Sequence, residues 1–286
     1  MPKLFTVVFP AYNEENRIEN VIKNYLQYTD DIIVIDKYSS DKTIEICNKY
    51  NAKVIFYPSG IDDTEQILMA NKIAKYDWVL YTICSELAPI ELLNEFAKIV
   101  GISKQENIKA AVFNRISYTG GVVTHNLKNY YKNFKNGIFA RFINKNFYDS
   151  KNSRIHFEIP VIASEKEIYI VDSKISMKHF RDDDISSSEQ KHSRYADIEA
   201  NSMINMGVKG TLFRLFGRTI YNFFKIYRMN FKSGFPGFIV SILHAQYVFQ
   251  VELRLLSHKY NFNKNLIIKK NKEIKNNMYR RLFNTQ

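Results

Sequence analysis

The feature that most constrains the fold is an alternation of short apolar runs and amphipathic segments over residues 4–83. The apolar runs are rich in β-branched and aromatic residues, which predicts buried strands, and the segments between them show helical spacing. The predicted strands are residues 4–9, 31–36, 53–57 and 77–83, and the predicted helices are residues 17–28, 43–50 and 62–75. Strands that alternate with helices are typical of βαβ units, so we expect a parallel sheet covered on both faces.

Polar side chains gather where these strands end. Ligands of a parallel sheet bind at the carboxyl ends of its strands, which points to residues 10–15, 36–41 and 84–89. Asp36 directly follows a strand, and Asp41 lies five residues later among hydroxyl side chains. A carboxylate in this place can accept a hydrogen bond from a ribose hydroxyl or a base N–H. The alternative is that Asp41 and its serine neighbours cap the next helix, which would leave Asp36 unexplained.

Beyond residue 100 the pattern is less regular. The predicted strands are residues 110–118, 139–143 and 167–171, and the predicted helices are residues 186–206 and 212–256, the second broken at residues 233–237. Residues 261–286 are expected to fray. A chain of 286 residues has room for one large domain with an appendage, and we place the domain at residues 1–205 and a helical extension at residues 206–286.

Nearly all of the net charge lies in that extension. The whole chain carries a formal charge of +12, and residues 205–286 hold 15 lysines and arginines against two acids, Glu252 and Glu273. The rest of the chain is therefore close to neutral. A neutral body with a strongly basic tail indicates that the tail contacts an anionic partner.

The sequence of the extension narrows the choice of that partner. Residues 211–232 place aromatic and aliphatic side chains at helical spacing with arginine and lysine between them, as in an interfacial helix on anionic lipid. Residues 235–251 are apolar but interrupted, and too short to span a bilayer. Two alternatives stay open: a helix pair packed on the first domain or in a homodimer, and a nucleic-acid-binding role that charge favours but no motif supports.

The cysteine content and the N-terminus predict a cytoplasmic setting. Cys47 and Cys84 are too few for a disulfide framework or a cysteine zinc site, so reduced thiols are expected. The apolar run after Lys3 is short and leads into a polar segment that does not resemble a signal peptidase site.

Two strand ends resemble a known family. Residues 9–15 (FPAYNEE) resemble the opening motif of the family-2 glycosyltransferases of GT-A fold, and residues 36–43 (DKYSSDKT) are similar to the family's Asp-x-Gly-Ser-x-Asp-x-Thr segment, with Tyr38 in place of the glycine. The segments at residues 179–180, 192–195 and 243–247 resemble the lipopolysaccharide-core glucosyltransferase branch. The resemblance spans roughly residues 4–255.

This resemblance implies a fold and an activity. The fold is an α/β GT-A architecture, a Rossmann-like mixed sheet with helices on both faces, followed here by the basic helical extension. The activity is transfer of a sugar, with inversion, from a nucleotide-diphosphate donor to a surface-glycan or lipid-linked acceptor. Such a role belongs to lipopolysaccharide or surface polysaccharide biosynthesis, on the inner face of the cell membrane. The competing hypothesis is a degenerate, non-catalytic member that binds nucleotide sugars or serves as a scaffold.

The resemblance also assigns a nucleotide-sugar site at the strand ends. The residues that it implies are Pro10, Ala11 and Tyr12 around the base, Glu14 and Asp36 at the ribose and base, Asp41 beside them, and Gln66 near the diphosphate.

The family's metal-binding Asp-x-Asp falls on residues 83–85 (ICS), which contain no aspartate, and the next residue is Glu86. Ser85, Glu86 and His179 are the implied ligands of Mg²⁺ or Mn²⁺, but hard cations want several oxygen ligands. Loss of the metal, or a metal-independent site that uses lysine or arginine, is therefore the alternative.

The catalytic base is the remaining assignment. An inverting transferase needs one carboxylate to deprotonate the acceptor hydroxyl. Residues 156–158 (HFE) resemble a His-Glu pair of the related branch, which makes Glu158 the first candidate and Glu86 the second. The three aspartates at residues 182–184 form a possible metal site, although acids in this place more often serve the N-terminus of the following helix.

Overall fold

The computed structural model describes residues 3–58, 63–119, 121–127, 138–152, 159–181 and 185–283. Its contacts divide the chain into two compact units. The first unit comprises Met1–Tyr118 and His125–Arg181, and the second comprises Thr119–Thr124 and Asp182–Gln286. The boundary after residue 205 stays a prediction, and the helix that ends there groups with the second unit.

The chain up to residue 181 contains all thirteen strands that the structure describes, together with the first four α-helices. In order they are β1 (Thr6–Ala11), α1 (Ile18–Tyr25), β2 (Ile32–Asp36), α2 (Thr43–Lys49), β3 (Lys53–Phe56), α3 (Asp63–Ile73), β4 (Trp78–Tyr81), β5 (Glu86–Leu87), α4 (Ile90–Ile102), β6 (Ala110–Val112), β7 (Asn114–Thr119), β8 (Val122–Leu127), β9 (Ile138–Ala140), β10 (Phe142–Asn144), β11 (Ile159–Val161), β12 (Ile168–Ile170) and β13 (Ser176–Phe180).

A seven-stranded mixed sheet is the centre of the first unit. Its strand order is β12-β6-β10-β4-β1-β2-β3, in which β10 runs antiparallel to both of its neighbours and the other pairs are parallel. A four-stranded sheet has the order β5-β13-β7-β8, and β9 pairs with β11. The predicted mixed α/β architecture is confirmed.

Helices cover both faces of the large sheet, as the sequence predicts. Side chains of β1 alternate: Val7 and Phe9 pack with α1, α2 and α4, whereas Val8 packs with α3 on the opposite face. Helix α1 buries its apolar residues at the spacing seen in the sequence. Each such aliphatic or aromatic side chain contributes about 1.5–3 kcal/mol by leaving water. This double-sided core fixes the edge at which the loops after β1, β2 and β4 meet.

Several elements differ from the sequence expectations. The strand expected at residues 110–118 breaks at Phe113, so that β6 joins the large sheet and β7 joins the four-stranded sheet. Strand β13 and helix α4 were not predicted. The end of the chain, expected to fray, contains a helix over Lys264–Phe283.

Apart from residues 119–124, which include the start of β8, the second unit is helical. Its helices are α5 (Ile185–Asn205), α6 (Leu212–Asn230), α7 (Phe235–Lys259) and α8 (Lys264–Phe283). Small and aliphatic residues join α5 to α7, among them Ala196, Ala200 and Leu255. Helices α6 and α7 pack together, and Arg214 and Arg218 of α6 both bind the buried carboxylate of Glu252. None of the described helices is long and apolar enough to cross a membrane.

We expect Gly210→Ala to destabilise this unit, because an added Cβ would lie 2.3 Å from the backbone nitrogen of Leu256. Relieving such overpacking typically costs about 1–3 kcal/mol. Gly217→Ala is the matched control, since Gly217 lies within α6 with nothing near its added methyl group. Alanine there should stabilise the helix by about 1 kcal/mol. Urea unfolding of the two variants measures both effects, and equal midpoints would contradict the packing of residue 210 against α7.

Candidate functional site

The loops after β1 and β2 lie side by side and are joined by hydrogen bonds. The strands pair in parallel with Ala11 opposite Asp36, so both loops leave from the same edge of the sheet. The Asn13 backbone N–H donates to Ser39 Oγ at 2.9 Å, and Asn13 Oδ1 accepts from the Ser40 backbone N–H at 2.8 Å. Asn13 has a positive φ of 54°, a conformation that asparagine tolerates better than most residues.

Asp41 completes the connection between the two loops. Its carboxylate accepts from the backbone N–H of Glu15 and from that of Thr43, each at 3.0 Å. The Glu14 N–H donates to Thr43 Oγ1 at 2.8 Å. Burial raises the pKa of Asp41, but these donors outweigh burial and lower it overall. Asp41 therefore holds the first turn of α2 and the loop after β1 together, while the Glu14 carboxylate forms an ion pair with Arg17 at 2.7 Å.

Asp36 lies fully buried at the junction of the two loops. Its carboxylate accepts from the backbone N–H of Ser39 at 2.8 Å and from Ser39 Oγ at 2.5 Å. A carboxylate has about four lone-pair sites, so these two bonds leave acceptor capacity for a ligand. The sequence placed Asp36 at this strand end, and the structure brings it beside Pro10 and Ala11 through the β1–β2 register.

Aromatic side chains border the junction. Tyr38 is 61% exposed and stacks on Phe56, which is 51% exposed, with ring centroids 5.7 Å apart. Phe56 ends β3 opposite Asp36, and Tyr12 is also exposed at the end of β1. Tyr38 has φ of 60°, which explains why the family has glycine there. Sequence reasoning missed Phe56, although an aromatic residue near the end of the predicted strand at residues 53–57 was the available signal.

Gln66 is buried within α3, in the core beside Ile67 and Ala70. Neither its amide oxygen nor its amide nitrogen has a hydrogen-bond partner among the residues that the structure describes. Buried polar groups are nearly always satisfied. The assignment of Gln66 to the diphosphate stays a prediction.

Glu86 lies in a cluster of arginines beyond the end of β4. Its buried carboxylate accepts from Arg141 Nη1 at 2.7 and 2.6 Å, from Arg115 Nη1 at 3.1 Å and from the Thr82 hydroxyl at 3.0 Å. Burial raises the pKa of Glu86, but Arg141 and Arg115 outweigh burial and hold the pKa below its usual value. The carboxylate is therefore ionised and already satisfied, which makes it a poor proton acceptor.

His179 lies next to Glu86, because β13 and β5 pair at these two residues. Its Nδ1 is 3.2 Å from Ser117 Oγ. Burial lowers the pKa of His179 to about 3, with Arg115 and Arg181 acting in the same direction and Glu86 opposing them. The ring is therefore neutral at physiological pH.

The residues around the Asp-x-Asp positions do not fit a divalent cation. Ile83 offers no ligand atom, and burial followed by the charge of Glu14 raises the pKa of the Cys84 thiol, so no thiolate forms there. The backbone carbonyl of Ser85 accepts from Phe180, and the oxygens of Glu86 bind guanidinium groups. No group of three or more acidic, histidine or cysteine side chains able to hold a metal occurs in the described parts of the chain.

Arg141 and Arg115, like Phe56, are residues at the candidate site that sequence reasoning missed. Both stand within segments that were predicted as strands, and a charged residue inside an apolar run such as residues 138–143 was the available signal. The candidate base Glu158 and the acids at residues 182–184 lie outside the described residues.

Comparisons with known proteins give one family. The model for glycosyl transferase family 2 matches residues 6–82. An uncharacterized glycosyltransferase of Rickettsia typhi is 30% identical over 91% of this chain and 89% of its own. Another, from Rickettsia bellii, is 28% identical over 91% of each chain. Among solved structures, glucosyl-3-phosphoglycerate synthase of Mycobacterium tuberculosis, in complex with Mn²⁺, UDP-glucose and phosphoglyceric acid, is 25% identical over 40% of this chain and 43% of that chain, with a TM-score of 0.30.

The half-buried, neutral His179 predicts a specific loss of stability in acid. An unfolded chain protonates this histidine near pH 6.5, whereas the folded protein does so only near pH 3. Between pH 3 and pH 6.5 the unfolded state therefore binds one more proton than the folded state. The free energy of unfolding should fall as the pH falls from 6.5 toward 3. Across this pH range, the urea midpoint of His179→Asn should depend less on pH than that of the wild type. His258→Asn changes an exposed histidine, and its urea midpoint should vary with pH as that of the wild type does. An unchanged pH dependence of the urea midpoint in His179→Asn would contradict the neutral state of this half-buried histidine.

Proposed function

Because the chain belongs to glycosyl transferase family 2, we propose that it transfers a sugar from a nucleotide-diphosphate donor to a surface-glycan or lipid-linked acceptor. The observation that supports this most is the joining of the two loops at the sheet edge, which holds the buried carboxylate of Asp36 beside exposed aromatic rings. A nucleoside presents a ring face and hydrogen-bonding groups, and this surface offers partners for both.

The family resemblance assigns the donor residues, and all of them except Gln66 lie at this edge. Pro10, Ala11 and Tyr12 line the base, and Asp36 accepts from the base or the ribose. Glu14 is assigned with Asp36 to the ribose and base, Asp41 lies beside them and holds the two loops together, and Gln66 is assigned to the diphosphate side. The stacked pair of Tyr38 and Phe56 extends the aromatic surface next to Asp36.

The reaction itself is a single displacement. The acceptor oxygen forms a bond to the sugar's anomeric carbon on the face opposite the leaving group, the bond from that carbon to the diphosphate oxygen breaks, and the acceptor proton passes to a base. Glu158 is assigned as that base, since the second candidate, Glu86, is occupied by two arginines. The nucleoside diphosphate leaves with the bonding electron pair, and the configuration at the anomeric carbon inverts.

A non-catalytic nucleotide-sugar-binding or scaffolding role is the second candidate. The observation that favours it is the absence of suitable metal ligands at the Asp-x-Asp positions among the described residues. Binding of a donor without release of the nucleoside diphosphate in the presence of acceptor would support this role over transfer.

Asp36→Asn should abolish binding of the nucleotide donor, because the amide adds two donors where the ribose or base needs acceptors. Asp31→Asn is the matched control: Asp31 is equally buried at the other end of β2, where it binds Thr6, Lys53 and the backbone of Lys75. That change should lower stability but leave nucleotide affinity within about twofold of the wild type once the protein is folded. Calorimetric titration with UDP, dTDP, GDP and ADP measures both, and normal binding by Asp36→Asn would refute the proposed pocket.

The second unit is proposed to hold the enzyme on the inner face of the cell membrane, where lipid-linked acceptors are found. One face of α6 exposes Phe213, Phe216, Ile220 and Phe224, of which Phe213 is 87% exposed. The basic residues Lys225, Arg228 and Lys232 are exposed around the end of this helix. Apolar side chains flanked by positive charge match the acyl boundary and headgroups of an anionic membrane.

The double variant Phe213→Ser/Phe216→Ser should weaken binding to phosphatidylglycerol/phosphatidylcholine vesicles by about 100-fold or more, since the two phenylalanines together contribute roughly 3–6 kcal/mol when they are fully buried. Tyr260→Ser/Phe262→Ser removes two exposed aromatic residues from another part of the same unit and should have little effect. Vesicle co-sedimentation measures the affinity, and sedimentation velocity shows the oligomeric state. Unchanged vesicle binding together with loss of a dimer would assign this face to self-association instead.

A further inference from the structure

A pocket of about 260 Å³ lies where three helices of the second unit meet. Its walls come from the second half of α5, the end of α7 and residues 261–263, which connect α7 to α8. We infer that this pocket, called here the turn pocket, binds one neutral sugar unit of the acceptor glycan. This inference rests on the proposed function, because it concerns the acceptor of the same reaction.

Hydrogen bonds hold the walls of the turn pocket in place. Arg254 of α7 donates from Nε to the carboxylate of Asp197 on α5, and from Nη2 to Ser193 Oγ at 3.1 Å. The backbone N–H of Phe262 donates to the carbonyl of Ser257 at 2.9 Å, which ties the turn after α7 to the end of that helix. The pocket is therefore formed before any ligand binds.

The turn pocket offers hydrogen-bonding groups of both kinds. Asn201 and His258 line it, and neither side chain bonds another residue within the part of the chain that the structure describes. An amide supplies two donors and an oxygen acceptor, and a neutral imidazole supplies one donor and one acceptor. A sugar hydroxyl both donates and accepts, so it can pair with either type of group.

An apolar surface lies beside these polar groups. The Phe262 ring lines the pocket and is 56% exposed, and Ala200 and Ile204 complete the apolar side. A pyranose has a face of C–H groups and carries its hydroxyls around the rim. Such a face can lie on the electron-rich face of an aromatic ring while the hydroxyls reach the polar side chains.

Charge and size both favour a small neutral ligand. Asp197 and Arg254 form an ion pair with each other, so an ionic ligand would meet a compensated pair at this wall. A volume of about 260 Å³ exceeds by far the ~30 Å³ share of one water molecule. It lies just below the ~300–1,000 Å³ of sites for drug-sized ligands. This space suits one pyranose ring better than a nucleotide or an acyl chain.

The geometry of the turn explains only part of the lining. Asn261 has a positive φ of 52°, which asparagine tolerates, and Asn263 Oδ1 accepts from the Leu266 N–H at 3.0 Å as a cap of α8. The side chains of Asn201 and Phe262 have no such role. Replacement of these two side chains therefore tests the pocket with the least effect on the turn.

The experiment measures binding of the methyl glycosides of glucose, galactose, mannose and N-acetylglucosamine to the full chain by ligand-observed NMR. Glucuronate and inorganic phosphate are the anionic comparison. We expect at least one neutral glycoside to bind with a millimolar Kd, as is usual for a ligand of this size, and both anions to bind more weakly. Phe262→Ser and Asn201→Ala should each weaken glycoside binding by about 3- to 10-fold, the size of one lost aromatic contact or hydrogen bond.

Tyr260→Ser and Asn205→Ala are the matched controls. Tyr260 is 65% exposed two residues before Phe262, and Asn205 is an exposed amide one helical turn after Asn201 on α5; neither lines the pocket. Both variants should bind the glycoside as the wild type does. Losses in these controls equal to those in Phe262→Ser and Asn201→Ala would overturn the inference.

The remaining outcomes separate this inference from the proposed function. Absence of glycoside binding by a chain that still binds a nucleoside diphosphate would overturn the inference alone. Preferential binding of glucuronate or phosphate would overturn it in favour of an anion site. Displacement of the glycoside by a nucleoside diphosphate, or its loss in Asp36→Asn, would assign the sugar to the donor site instead. Glycoside binding without binding of UDP, dTDP, GDP or ADP would overturn the proposed function, and with it the assignment to an acceptor.

Discussion

The parallel pairing of β1 with β2 and β4 is the constraint on which the rest of the first unit depends. Parallel strands place their carboxyl ends at one edge of a sheet, so three loops far apart in sequence must meet there. The apolar residues of β1 are buried on both faces, and a shift of one residue would exchange those faces. The core therefore fixes the register that puts Ala11 opposite Asp36. That register in turn sets where the loops after β1 and β2 begin.

The loops themselves are stabilised by polar bonds between backbone and side chain. Asn13 and Tyr38 both adopt the left-handed conformation, which costs a residue with a Cβ roughly 1–2 kcal/mol. Asp41 and the hydroxyl groups near it supply the acceptors that offset this cost. At Tyr38 the ring also stacks on Phe56, a contact that a glycine could not make. Replacement of the family's glycine by tyrosine thus exchanges backbone freedom for an aromatic surface beside Asp36.

The local parts of this architecture could be predicted from the sequence, and the non-local parts could not. Strands β1, β2, β3 and β4 and their helices follow from periodicity, because each needs only its own run of apolar residues. The place of Asp36 follows from the same reasoning. Arg141 could not be placed, since its contact with Glu86 spans 55 positions and depends on an antiparallel strand inserted between β4 and β6. The break at Phe113 could not be predicted either, because residues 110–118 show the pattern of a single continuous strand.

Burying the ion pairs of Glu86 with Arg141 and Arg115 costs free energy, which raises the question of why charged residues occupy this buried position. Removing a carboxylate and two guanidinium groups from water costs several kcal/mol for each ion, and their attraction repays little more than that cost. Apolar side chains of similar volume would often pack there with equal or greater stability. Stability alone therefore does not account for the group. In the second unit the group around Glu252 fixes how α6 aligns on α7, which is a structural reason for its charge. Around Glu86, the β-sheet pairing of β10 with β4 and of β13 with β5 already fixes that alignment through the backbone.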